Sequence, residues 1–190
     1  WLMVDEAHSF GVLGRNGRGL REHFDVPPEA VDIWMGTMSK TLAGCGGYIA
    51  GCQALVDTLR HLAPGFLYSV GMPAQVAAPS LKALALMHEE PQRVRRLQAI
   101  SRYFLEQARA LGLDTGESIG AAVVPVIIGS SARAAGLSHA LFERGINVQP
   151  ILHPAVPEKS ARLRFFLSCE HTEQQVDQTL EILDEELTRT

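Results

Sequence analysis

Three short apolar runs within the first fifty or so residues constrain the fold more than anything else in the chain. WLMV (1–4) stops at Asp5, VDIWMGT (31–37) ends in Gly-Thr, and GGYIAG (46–51) is bounded by glycines. Runs this short, with β-branched and aromatic content, fit buried strands of a parallel or mixed sheet. Residues 1–5 are expected to form a short buried strand, and Gly11, Gly14, Gly17 and Gly19 a flexible loop behind it. QALVDTLRHL (53–62) has helical spacing. A second helix follows Pro73 with Pro79 as an internal irregularity, and Pro91 opens a strongly amphipathic helix reaching Gly112.

Beyond Gly112 the pattern becomes a compact α+β alternation. A strand is predicted at 122–129, a helix at 132–145 closed by Gly145, and strands at INVQPI (146–151) and at 162–168. Thr172 is expected to cap a final helix running to about Leu187. The boundary is placed near residue 90: residues 1–90 read as the end of an α/β domain, residues 91–190 as a small C-terminal α+β domain. A chain that opens with Trp1 inside a strand is expected to be part of a longer enzyme.

With 46% hydrophobic and 20% charged residues the composition is that of a globular protein. A formal net charge of −4 provides no basic surface for nucleic acid. The apolar stretches are too short for a transmembrane segment, and no signal peptide opens the chain. Cys45, Cys52 and Cys169 show no metal-type pairing and read as reduced thiols of a cytoplasmic protein. No metal site is expected, because Asp5, Glu6 and His8 are near neighbours whose side chains point apart.

The chemistry concentrates in GTMSKTLAGCGGYIAG (36–51). Lys40 follows a strand inside a run of small residues, and strand ends of α/β sheets are where ligands bind. Thr37 and Ser39 offer hydroxyls to a phosphate, and Gly44, Gly46 and Gly47 let backbone approach a ligand closely. Alone, that segment leaves a surface or structural reading open. Asp5 at another strand end makes the pair fit a pyridoxal 5′-phosphate (PLP) site. Lys40 would then hold the cofactor as a Schiff base, and ionised Asp5 would keep the pyridinium protonated. His8 is placed to donate to the cofactor's phenolic oxygen or to handle a proton.

VDEAHSFGVLGRNGRG, VDIWMGTMSKTLAGCGGYIAG and GINVQPILHPAVP…ARLRFFLSCEHT, in that order, resemble the α-oxoamine synthase family of fold type I PLP enzymes. Its members include serine palmitoyltransferase and 8-amino-7-oxononanoate synthase, and the wording of the segments leans slightly towards the former. The resemblance implies the C-terminal half of a fold type I PLP-dependent transferase: the end of the large domain plus the small one. It assigns Asp5 to the pyridine nitrogen, His8 to the phenolic oxygen, Thr37 to the phosphate and Lys40 to the Schiff base. Arg164, second arginine of ARLRF, is implied to bind the amino-acid carboxylate. FLYSVGMP (66–73) resembles the segment that reaches a neighbouring subunit's cofactor phosphate through Ser69 or the backbone at Gly71. A homodimer is therefore implied. The family's glycine-rich phosphate turn and ring-stacking side chain have no counterpart here.

The activity implied is condensation of an amino acid with an acyl-CoA or acyl-carrier thioester, releasing the thiol and usually CO2. The rivals are a fold type I aminotransferase and a truncated, non-catalytic subunit of the same fold. Aminotransferases commonly place a phosphate-binding arginine several residues after the lysine, whereas the next arginine here is Arg60. His61, His139, His153 and His171 are expected to be surface or structural, Cys45 a small packing residue, and Arg162 a partner on the strand face opposite Arg164.

Overall fold

The computed structural model describes residues 1–189, which divide into two compact units, one from Trp1 to Arg95 and one from Arg96 onward. The first is built on a three-stranded mixed sheet, β1 (Met3–Asp5), β2 (Ile33–Thr37) and β3 (Gly47–Gly51), in the order β1-β2-β3. β1 and β2 run parallel with Asp5 opposite Met35; β2 and β3 run antiparallel with Thr37 opposite Gly47. Both chemistry-bearing strand ends, Asp5 and Thr37, therefore emerge at one edge of the sheet.

β1 is not the buried strand expected: Met3 and Asp5 are exposed and only Val4 is half-buried. It has one strand neighbour, so its flank and faces lack the cover a central strand receives. The loop after it, expected to be flexible, carries defined local structure. It forms a turn with a Phe10–Arg18 bridge, a short helix α1 (Leu20–His23) and a 3-10 turn at Pro28–Ala30. Helices α2 (Gln53–Leu62), α3 (Pro64–Leu67) and α4 (Ala74–Glu89) complete this unit, with Pro79 inside α4. α5 (Gln92–Ala110) carries the chain into the second unit.

That second unit is an antiparallel sheet of β4 (Val123–Ile127), β5 (Gln149–Ile151) and β6 (Arg162–Phe166), ordered β4-β6-β5, with α6 (Ser131–Glu143) and α7 (Glu173–Arg189). Its core places Val124, Val126, Leu163 and Phe165 of the sheet with Phe104, Leu137, Leu141 and Leu180 of the helices. The Phe104 and Phe165 rings meet at 5.0 Å between centroids. Pro125 sits in edge strand β4, where a missing N–H is tolerated.

Local chemistry explains the ends of these elements. Gly145, with φ of +83°, closes α6: its N–H donates to the Phe142 carbonyl and that of Ile146 to the Leu141 carbonyl. This cap uses the Ile146 N–H and the Val148 carbonyl accepts the Ser138 hydroxyl; β5 pairing starts at Gln149 rather than at residue 146 as expected. Thr172 and Gln175 cap α7 reciprocally, each backbone N–H donating to the other's side chain at 3.2 and 2.9 Å. No helix among the described residues is long and apolar enough to cross a membrane.

Candidate active site

Two loops leave the same edge of the first sheet. The β1 loop begins with Asp5, whose Oδ1 accepts the Ala7 N–H at 2.7 Å and leaves Oδ2 for another donor. His8 follows, exposed on the turn. Glu6, between them, is 5% exposed, and its backbone N–H donates to Met35 O at 2.7 Å, holding the turn against β2. Its carboxylate accepts from the Ser9 hydroxyl and from the Leu20 N–H, at 3.1 Å to each oxygen. A Cβ on Gly19 (φ +83°) would lie 2.3 Å from Glu6 Oε2, so only glycine lets the loop close on this acid. Burial, and then the charge of Glu6, push the Tyr48 phenol above its ordinary pKa.

The second loop is the β2–β3 hairpin, residues 38–46. Lys40 sits three residues past the end of β2 on this loop, not directly after the strand, and is exposed. The Thr37 hydroxyl accepts the Ser39 N–H at 3.2 Å, lies 2.8 Å from Ser39 Oγ and reaches Gly46 O at 3.3 Å. The two hydroxyls are thus paired at the strand end. Thr41 joins the loops: its hydroxyl donates to Phe10 O at 2.8 Å, and its methyl occupies the space a side chain on Gly11 would need. From the other side Ser80 of α4 fills the place of a Gly44 side chain, 2.2 Å from a Cβ built there. Gly44 therefore makes room for an internal contact. Cys45, expected to pack, is exposed.

Ser69 and Gly71 lie on the exposed segment after α3; the Ser69 hydroxyl donates to Phe66 O at 3.2 Å, and no atom comes within 4 Å of a Cβ built on Gly71. Around them Phe66, Tyr68 and Val70 are 63%, 83% and 93% exposed.

Arg164 belongs to the second unit, on central strand β6. It pairs with Pro125 on one side and Gln149 on the other, and its guanidinium lies 4.8 Å from the Phe166 ring centroid. Its Nε is buried and donates to nothing. Arg162 does not occupy the opposite face. Residues two apart on a strand share a face, and in β6 the alternation puts Leu163 and Phe165 into the core and both arginines on the other side.

Sequence reasoning missed Glu6 and Thr41, the residues that fix the two loops. The signals were present, as a second acid after Asp5 and a second hydroxyl after Lys40, but their partners at Leu20 and Phe10 are tertiary. His61, His139, His153 and His171 are all exposed, and His171 Nδ1 accepts the Ser168 N–H at 3.1 Å.

The family model of the class I and II aminotransferases matches residues 1–183. The chain belongs to that family. Within the class I and II aminotransferases its relatives are α-oxoamine synthases. The 8-amino-7-oxononanoate synthase of Symbiobacterium thermophilum is 44% identical over 177 residues, 93% of this chain and 45% of its own length. Among solved structures, an 8-amino-7-oxononanoate synthase from Francisella tularensis superposes with a TM-score of 0.88 at 29% identity. It covers 99% of this chain and 55% of its own. A serine palmitoyltransferase (SPT) structure with a PLP internal aldimine gives 0.91 at 26%, covering 98% and 47%. The chain thus has the fold of the fold type I PLP transferases and spans about half the length of the curated relatives it matches. Of these three, the higher identity is with an 8-amino-7-oxononanoate synthase, against the lean of the motif wording.

Proposed function

We propose that this chain carries the lysine-bearing half of a PLP-dependent acyltransferase that condenses an amino acid with an acyl-CoA or acyl-carrier thioester. The product is an α-oxoamine, with release of the thiol and usually of CO2. The observation that carries this reading is the delivery of Asp5 and Lys40 to one sheet edge by adjacent parallel strands. The residues fit PLP: an exposed lysine amine, a carboxylate with one oxygen uncommitted and a hydroxyl pair at a strand end. When bound, PLP supplies an electron sink for a carbanion at the amino-acid Cα.

The protein's own groups do the rest. Lys40 Nζ anchors the cofactor and moves the Cα proton, while Asp5 Oδ2 accepts the pyridinium N–H in a charge-assisted bond. His8 donates to the phenolic oxygen, and Thr37 to the phosphate. Arg164 meets the amino-acid carboxylate with its planar fork, held flat by the Phe166 ring. Ser69 and the Gly71 backbone reach the phosphate of a second subunit. The bare apolar segment around them supports a homodimer; sedimentation of the full-length protein as a monomer would rule that out. Exposed Cys45 and Cys52 fit a reducing cytoplasm.

The test is thiol release from a panel of acyl-CoAs with glycine, alanine or serine, using the full-length protein loaded with PLP. An α-oxoamine such as 8-amino-7-oxononanoate is the first product to look for. Amino-acid-dependent thiol release, lost in Lys40→Ala, is expected. Transamination without thiol release would replace this reading with an aminotransferase.

A further inference from the structure

Arg164 has two cross-strand neighbours on its face of the sheet, Pro125 of β4 and Gln149 of β5. Paired residues of an antiparallel sheet point to the same side, with Cβ atoms about 5 Å apart. Proline offers no polar group there, so Gln149 is the polar side chain that borders the guanidinium. The two heads also lean the same way. Arg164 reaches forward over the Phe166 ring at 4.8 Å, and Gln149 reaches back to Asn147, where its Nε2 donates to Oδ1 at 3.0 Å. Because β5 and β6 are antiparallel, both steps run in one direction along the sheet, and Asn147 and Phe166 line the same cavity. The bond to Asn147 fixes the exposed Gln149 carboxamide and leaves its Oε1 as an acceptor that no described residue uses. Arg164 forms no ion pair among the described residues and keeps a buried Nε without an acceptor. A donor fork beside a lone acceptor fits a ligand that carries a carboxylate and, a few bonds away, a hydrogen-bond donor.

We infer that Gln149 is a specificity residue for the amino acid: its Oε1 accepts from a side-chain hydroxyl of the substrate whose carboxylate lies on Arg164. This rests on the carboxylate role given to Arg164 in the condensation proposed above. In that reaction the amino group is joined to the cofactor, so the donor left for Gln149 belongs to the side chain. The substrate class is therefore a hydroxyl amino acid, serine ahead of alanine and glycine. Alanine in the same place covers Oε1 with a methyl group and leaves it unpaired. Gln149 takes no part in bond making.

Two readouts on the full-length protein test this. Without cofactor, ligand-observed NMR titration compares 3-hydroxypropionate with propionate, which are serine and alanine without the amino group. 3-Hydroxypropionate is expected to bind about fivefold tighter, the worth of one neutral hydrogen bond. Gln149→Leu should abolish that difference and leave propionate unchanged, and Arg164→Gln should weaken both probes. With PLP bound, the ratio of kcat/KM for serine over alanine in thiol release should fall by about the same factor in Gln149→Leu. Equal affinity for the two probes in wild type, a difference that survives Gln149→Leu, or no binding of either probe would overturn the inference. An amino-acid preference that Gln149→Leu leaves unchanged would also overturn it, while the thiol release itself upheld the condensation. The expected probe pattern with no thiol release from any amino acid would uphold the paired Arg164–Gln149 site and strike the condensation instead.

Discussion

Thr41 fixes the position of the candidate lysine's loop through a single hydroxyl. Valine in its place keeps the methyl packed on Gly11 and removes only the bond to Phe10 O. Thr41→Val is expected to cost about 1 kcal/mol, the usual worth of a part-buried neutral hydrogen bond, read as a lower urea midpoint at unchanged slope. Ser101 is the opposite case: its hydroxyl is buried within α5 with no partner. Ser101→Ala is expected to be neutral or to stabilise by up to about 1 kcal/mol, since nothing is left unpaired and alanine favours the helix. At this scale sequence was informative wherever a residue acts through its own chemistry. Asp5 at a strand end, Lys40 three residues past one and Arg164 on a strand stand out as candidates by charge and position alone. Thr41 and Glu6 act through partners 31 and 14 residues away, and no local pattern announces such contacts.

Between elements, the best-defined polar link joins the end of α6 to α7. Arg144 donates to Glu185 at 2.5 Å and to Glu186 at 3.1 Å, and Arg189 adds a bond to Glu186 at 2.8 Å. Glu186 is 7% exposed, so Glu186→Ala leaves two arginines facing a partly closed hole and is expected to cost about 1–3 kcal/mol. The hydrogen bond from Arg144, and then its charge, hold Glu185 below the usual carboxylate range. A depressed pKa stabilises the fold above the unfolded-state value, and the contribution is lost as pH falls through the folded one. Unfolding midpoints from neutral pH to about pH 3 should therefore fall less steeply in Glu185→Gln than in wild type. Helix ends were legible because Thr172, Gln175 and Gly145 act within one turn of chain. Strand ends and faces were less so. INVQPI gives up Ile146 to the α6 cap and pairs only from Gln149, and the side on which Arg162 falls depends on period-2 geometry that its distance from Arg164 already contained.

For the molecule as a whole, the large apolar side chains left bare cluster on the first unit. They include Trp1 at 92% and Val70 at 93% exposed, while the second unit encloses Leu163 and Leu183 completely. The chain spans about half the length of its curated relatives, and the bare side chains of the first unit support the homodimer proposed above. Burial of β1 was misjudged because an apolar run such as LMV reports strand propensity, while its burial depends on neighbours that the run does not name. Whether Lys40 holds PLP is tested most directly by the visible absorbance of the full-length protein mixed with PLP, with and without Lys40→Ala. An absorbance band present in wild type and absent from Lys40→Ala is expected. The same spectrum in both proteins, or no band in either, would contradict the assignment of Lys40 and with it the proposed acyltransferase.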